Sequence, residues 1–116
     1  MKRFIESLAY AMRGIWFGIV DQRNLKVQIA VSMLVIVAGI YFNVTPIEWC
    51  LLFLCIGLVI SLELINSAIE GLVDLVTIER KMLAGKIKDI AAGAVLIASL
   101  VSIIIGVILF GKYLLG

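Results

Sequence analysis

Four polar side chains stand out within an otherwise apolar stretch: Glu63, Asn66, Glu70 and Asp74. On a helix turning about 100° per residue, their spacing gathers them within roughly 80° of arc, as a stripe about 16 Å long. Ser67 lies beside the stripe. Carboxylates clustered in this way can hold a divalent cation or exchange a proton with a substrate. Such a stripe can also pack by hydrogen bonding inside an oligomer, although small or hydroxyl side chains usually serve that purpose. A second polar pair, Lys88-Asp89, precedes another apolar run, where the aspartate also suits a helix cap.

The elements that position these groups follow from composition. The chain has 116 residues, 64% hydrophobic and 16% charged, with a mean hydropathy of +1.21. A soluble domain of this size leaves too much surface exposed to hide that many apolar side chains. Lipid as solvent removes the difficulty. The expected fold class is therefore an all-α integral membrane protein, a single domain over residues 1–116. An N-terminal amphipathic surface helix is expected over 1–24, where Phe4, Ile5, Leu8, Met12, Ile15 and Trp16 recur at helical spacing between charged residues. Transmembrane helices are expected over 25–42, 47–76 and 89–109. The second is too long for one crossing of a hydrocarbon layer about 30 Å thick, so its C-terminal end should project into the interface. Residues 77–88 read as a polar loop or helix end, with Gly85 as a turn residue. Glu48, in the turn region after Asn43, reads as a surface residue. The run Ala91-Ala92-Gly93-Ala94 allows close helix approach.

Each ionisable group in a spanning helix costs about 2.5–3.5 kcal/mol on insertion scales, so the stripe must face protein, water or a cation rather than lipid. Basic residues set the expected orientation. Lys2, Arg3, Arg13, Arg23 and Lys26 precede the first span, and Arg80, Lys81, Lys86 and Lys88 lie between the second and third. The excess of Lys and Arg puts the N-terminus and the 77–88 segment in the cytoplasm and the C-terminus outside. The charged N-terminal stretch has no long apolar core of the kind a cleavable signal peptide requires. Histidine is absent, so neither a histidine metal site nor a histidine base is available. Cys50 and Cys55 match no zinc or redox spacing. Neither GxGxxG nor GxxxxGK followed by Ser or Thr occurs, so any nucleotide must be held by carboxylates, a metal and scattered basic residues.

The pattern ExxNxxxExxxD, which starts at Glu63, is followed by Lys88-Asp89-Ile90-Ala91-Ala92-Gly93-Ala94-Val95-Leu96. Together they resemble the two conserved blocks of the prokaryotic diacylglycerol kinase family, which includes undecaprenol kinases. The resemblance covers nearly the whole chain in length, layout and motif order. It implies a homotrimer in the inner (cytoplasmic) cell membrane that moves the γ-phosphate of ATP, with Mg²⁺, to the hydroxyl of a membrane lipid. Diacylglycerol and undecaprenol are both candidate acceptors. The resemblance implies that Glu63 is the general base, that Glu70 binds metal, and that Asn66 and Asp74 complete the polar face. Glu70 is also implied near the nucleotide with Lys88 and Asp89, as are Arg3, Tyr10 and Glu79. Gln22 stands where many members carry a second metal-ligating glutamate. Its neutral oxygen offers a metal less charge, and Asp21 is adjacent.

Two functional classes follow: a lipid kinase, with a variant reading that keeps the fold but loses efficient activity through Gln22, and a non-enzymatic oligomeric scaffold or ion pathway lined by the acidic stripe. Lys88-Asp89 beside the stripe favours the kinase. The implied partners are a lipid alcohol, ATP, the membrane and further copies of the chain. A nucleic-acid partner is not expected.

Overall fold

The computed structural model describes residues 1–77 and 82–116. The described residues form four helices: α1 (Lys2–Asp21), α2 (Arg23–Phe42), α3 (Pro46–Val76) and α4 (Met82–Leu115). Of these, α2, α3 and α4 are long and apolar enough to cross a membrane. Their flanks expose Leu34, Val37, Phe53, Leu54, Ile97, Ile104 and Ile108. Water would penalise so large a contiguous apolar surface, whereas lipid does not. The chain is a multi-pass membrane protein.

Helix boundaries follow local chemistry. Gln22 adopts an extended backbone between α1 and α2, and its N–H closes on the Gly18 carbonyl at 3.0 Å. α2 ends at Asn43, whose left-handed conformation (φ 54°) suits asparagine better than most non-glycine residues. The Val44 N–H returns to the Gly39 carbonyl and the Asn43 N–H to the Ile40 carbonyl, each at 3.2 Å. This is the paired closure of a Schellman end. Two residues later α3 begins with Thr45 as N-cap and Pro46 in the first turn. The Glu48 N–H donates to Thr45 Oγ1 and the Thr45 N–H to Glu48 Oε1, at 3.2 and 2.9 Å. The two form a capping box.

Two expectations change here. Glu48 is a buried residue, with 7% of its surface exposed. Its Oε2 pairs with Lys112 Nζ at 2.5 Å, and Tyr113 donates its hydroxyl to Oε1. A carboxylate taken out of solvent requires such partners, and the far end of α4 supplies them. The chain between α3 and α4 is also shorter than expected. α4 starts at Met82, so Lys86, Lys88 and Asp89 are helical and Gly85 is a helix residue rather than a turn. Met82, Leu83, Ala84 and Lys86 are good helix formers, and together they outweigh the ~1 kcal/mol helix penalty of one glycine.

α3 and α4 make the most extensive helix contact, and α2 packs on α3. Gly39 lets α2 approach α3 closely, since a Cβ there would lie 2.6 Å from the Trp49 ring. Val44, Leu52 and Leu109 form a buried cluster beside Phe42, Trp49, Phe110 and Tyr113. This cluster and the Glu48 ion pair join one end of α3 to the C-terminal end of α4. Lys112→Ala is therefore expected to lower the melting temperature of the detergent-solubilised protein by several degrees, and Tyr113→Phe by less. A melting curve of Lys112→Ala that overlays the parent's would show that the pair contributes no stability.

Candidate active site

The polar stripe is on α3, as its spacing requires. Glu63 and Asn66 are buried, with 3% and 7% of their surfaces exposed. Glu70 is half-buried and Asp74 is exposed. The face thus grades from dry to wet over about 16 Å toward the C-terminal end of α3.

Each group has a distinct set of partners. Ser67 donates its hydroxyl to the Glu63 carbonyl at 3.0 Å, a local bond on the helix itself. Asn66 Nδ2 donates to Glu70 Oε1 at 3.4 Å, a long hydrogen bond one turn on. With its amide nitrogen turned to Glu70, Asn66 presents Oδ1, which is buried and has no partner among the described residues. A buried acceptor left in this state is costly, which makes it a place for a ligand's donor or a metal. Asp74 Oδ1 pairs with Lys88 Nζ at 2.5 Å across the α3–α4 junction. Glu63 and Glu70 are seven residues apart, or about 10 Å along the helix, so they cannot share one metal ion.

The other expected residues fall into three groups. Lys88 is drawn to the stripe by Asp74, while Asp89 is exposed one position on. Arg3 and Tyr10 are exposed on α1, and the Tyr10 ring faces the Arg13 guanidinium at 5.2 Å. Among the described residues, no hydrogen bond or ion pair joins Arg3 or Tyr10 to the stripe. α1 meets α3 near its own C-terminal end, where Gly18 packs beside Leu64. Arg3 is about 22 Å and Tyr10 about 12 Å along α1 from that contact. Gln22 is half-buried in the break between α1 and α2. Glu79 lies outside the described residues.

Among the described residues, no group of three acidic or cysteine side chains could hold a metal ion unaided. Mg²⁺ commonly takes one or two carboxylates and fills its shell with water and phosphate oxygens. Glu70 and the free oxygen of Asn66 are suitable donors.

Comparison with known proteins decides between the two functional classes. The profile described as Prokaryotic diacylglycerol kinase matches residues 9–110. The chain belongs to this family. It is 42% identical to an undecaprenol kinase of Bacillus subtilis (strain 168) over 110 residues, covering 95% of this chain and 89% of that one. It is 32% identical to a diacylglycerol kinase of Escherichia coli (strain K12), over 96% of this chain and 91% of that one. A diacylglycerol kinase of Helicobacter pylori (strain ATCC 700392 / 26695) is also 32% identical, over 99% of this chain and 87% of that one. The chain is a lipid kinase.

One contact that the motifs do not reveal supports the stripe from behind. A Cβ at Gly18 would lie 2.6 Å from Leu64 Cδ2 and 3.1 Å from Leu25 Cδ2. Leu64 adjoins Glu63, and Leu25 is almost fully buried. Leucine rotation can accommodate one methyl group, but a branched side chain overpacks the site. Gly18→Val is expected to destabilise the protein by about 1–3 kcal/mol. In a double-mutant cycle, Leu64→Ala should recover much of that loss. Strict additivity of the two substitutions would place the strain elsewhere.

Proposed function

We propose that this lipid kinase uses ATP and Mg²⁺ to phosphorylate a lipid hydroxyl at the cytoplasmic face of the inner membrane. The observation that carries the proposal is the gradient along α3. Glu63 is at the dry end of one polar face, and the Asp74–Lys88 pair is at the wet end. A lipid alcohol approaches from the dry end and a nucleotide from the wet end. The clusters of basic residues around the N-terminus and the start of α4 support the cytoplasmic assignment. α1 then lies on the membrane surface, its exposed Phe4, Ile5, Leu8, Met12 and Trp16 turned toward lipid.

Phosphoryl transfer depends mainly on positioning and charge neutralisation. The lipid hydroxyl oxygen forms a bond to the γ-phosphorus of ATP. The bond between that phosphorus and the β–γ bridging oxygen breaks, and ADP leaves. Glu63 accepts the hydroxyl proton. Glu70, with Asn66 Oδ1, would hold the divalent cation, which would neutralise charge on the transferring phosphate. Lys88 neutralises phosphate oxygens from α4, and Asp89 stands beside it. Arg3, Tyr10 and Glu79 complete the nucleotide contacts, in the roles that the family resemblance implies for them. Gln22 adds at most a neutral oxygen to the metal. A homotrimer covers the remaining polar face and sets residues of neighbouring subunits at each site.

Undecaprenol is the favoured acceptor over diacylglycerol, because the 42% identical relative is named for that substrate, whereas relatives named diacylglycerol kinase are 32% to 37% identical. With both lipids present in equal amounts, phosphate should enter undecaprenol faster. Preferential labelling of diacylglycerol would reverse that choice. Glu63→Gln should lower kcat by about 10²–10⁴-fold while the protein elutes at the parent's oligomeric size. A Glu63→Gln protein with near-parent turnover would remove the proposed base. Gln22→Glu should lower the Mg²⁺ concentration needed for half-maximal rate, and an unchanged requirement would place Gln22 away from the metal.

A further inference from the structure

The Asp74–Lys88 pair is placed for more than closing a turn. Asp74 is two residues before the end of α3, and Lys88 is in the second turn of α4. Their 2.5 Å contact bridges the two helices beside the acidic stripe. Lysine is a flexible cation that loses considerable rotamer freedom when its ammonium is fixed. The ammonium has three donors. Asp74 occupies one, and the Lys88 side chain remains 36% exposed, leaving the other donors open to an incoming oxygen.

We infer that Asp74 is a positioning residue for the nucleotide, acting through Lys88. The inference rests on the reading of Lys88 as a phosphate contact. Asp74 fixes the ammonium on the α3 side of the junction before nucleotide arrives, so that less ordering remains when the phosphate binds. The same logic governs the lysine–glutamate ion pair that soluble protein kinases set in place before transfer. Asp74 itself touches neither phosphate nor metal in this scheme. Its side chain is 64% exposed. An exposed pair of this kind is worth only a small factor, which bounds the expected effect at about three- to fivefold in nucleotide affinity.

The test uses the full-length protein in detergent with Mg²⁺ and an ATP analogue carrying a methylene bridge between the β and γ phosphorus atoms. Binding is measured for the parent, Asp74→Asn, Asp74→Glu, Lys88→Met and the Asp74→Asn/Lys88→Met double variant. Asp74→Asn should weaken binding about three- to fivefold. Asp74→Glu should restore part of the loss, and Asp74→Asn should add nothing once Lys88 is gone. In turnover, Asp74→Asn should raise KM for ATP while changing kcat and the lipid KM less. A merely structural role would lower the melting temperature and weaken binding by the same factor with or without Lys88, which would overturn the inference. Tighter binding by Asp74→Asn would also overturn it, by showing that Asp74 only neutralises Lys88. A parent that binds no analogue would overturn the nucleotide reading and this inference with it. A parent weakened by Lys88→Met but not by Asp74→Asn would overturn the positioning role alone.

Discussion

A carboxylate and an amide buried on a helix that crosses hydrocarbon impose the main constraint on this protein. Glu63 and Asn66 are nearly inaccessible, on a helix whose other faces are apolar. Neither side chain can be left against lipid without a cost of several kcal/mol. α3 therefore needs neighbours, and the structure supplies them. Gly18 and Leu64 seat α1 close behind Glu63, Gly39 seats α2 against Trp49, and α4 runs beside α3. Ion pairs tie α3 to α4 at both ends, Glu48 to Lys112 and Asp74 to Lys88.

The same constraint organises the chemistry. Phosphoryl transfer to a lipid must bring a water-soluble donor and a membrane-held acceptor to one point. A helix face that passes from a buried glutamate to an exposed ion pair offers both environments within about 16 Å. Glu63 and Glu70 are too far apart to act on one metal, so the proposed roles of base and metal ligand fall to separate residues. The unpartnered oxygen of Asn66 sits between them, a buried acceptor suited to a cation or a ligand's donor.

Much of this was legible in the residues themselves. Three apolar runs give the spans, and one repeating interval gives the stripe, because helical periodicity is local. The terminus of α2 at Asn43 and the start of α3 at Thr45-Pro46 are written in turn chemistry. The burial of Glu48 is not legible locally, because it depends on Lys112 and Tyr113, more than sixty residues away. Its capping-box spacing from Thr45 was visible, but burial is not a local property. The helical state of Gly85 is not legible either, because glycine in a turn and glycine tolerated in a long helix look alike in one sequence. The tight approaches at Gly18 and Gly39 left no local signal. Family resemblance associates Arg3 and Tyr10 with the stripe, and the contacts of the single subunit do not draw them there.

Transfer of labelled phosphate tests the central claim most directly. Purified protein in mixed micelles would receive Mg²⁺, ATP labelled in its terminal phosphate, and either undecaprenol or diacylglycerol, followed by organic extraction. The expected result is label in the lipid phosphate fraction, dependent on both Mg²⁺ and the lipid alcohol. Label that stays in ATP, or appears only as inorganic phosphate with either lipid, would contradict the assignment of the α3 face as a lipid kinase site.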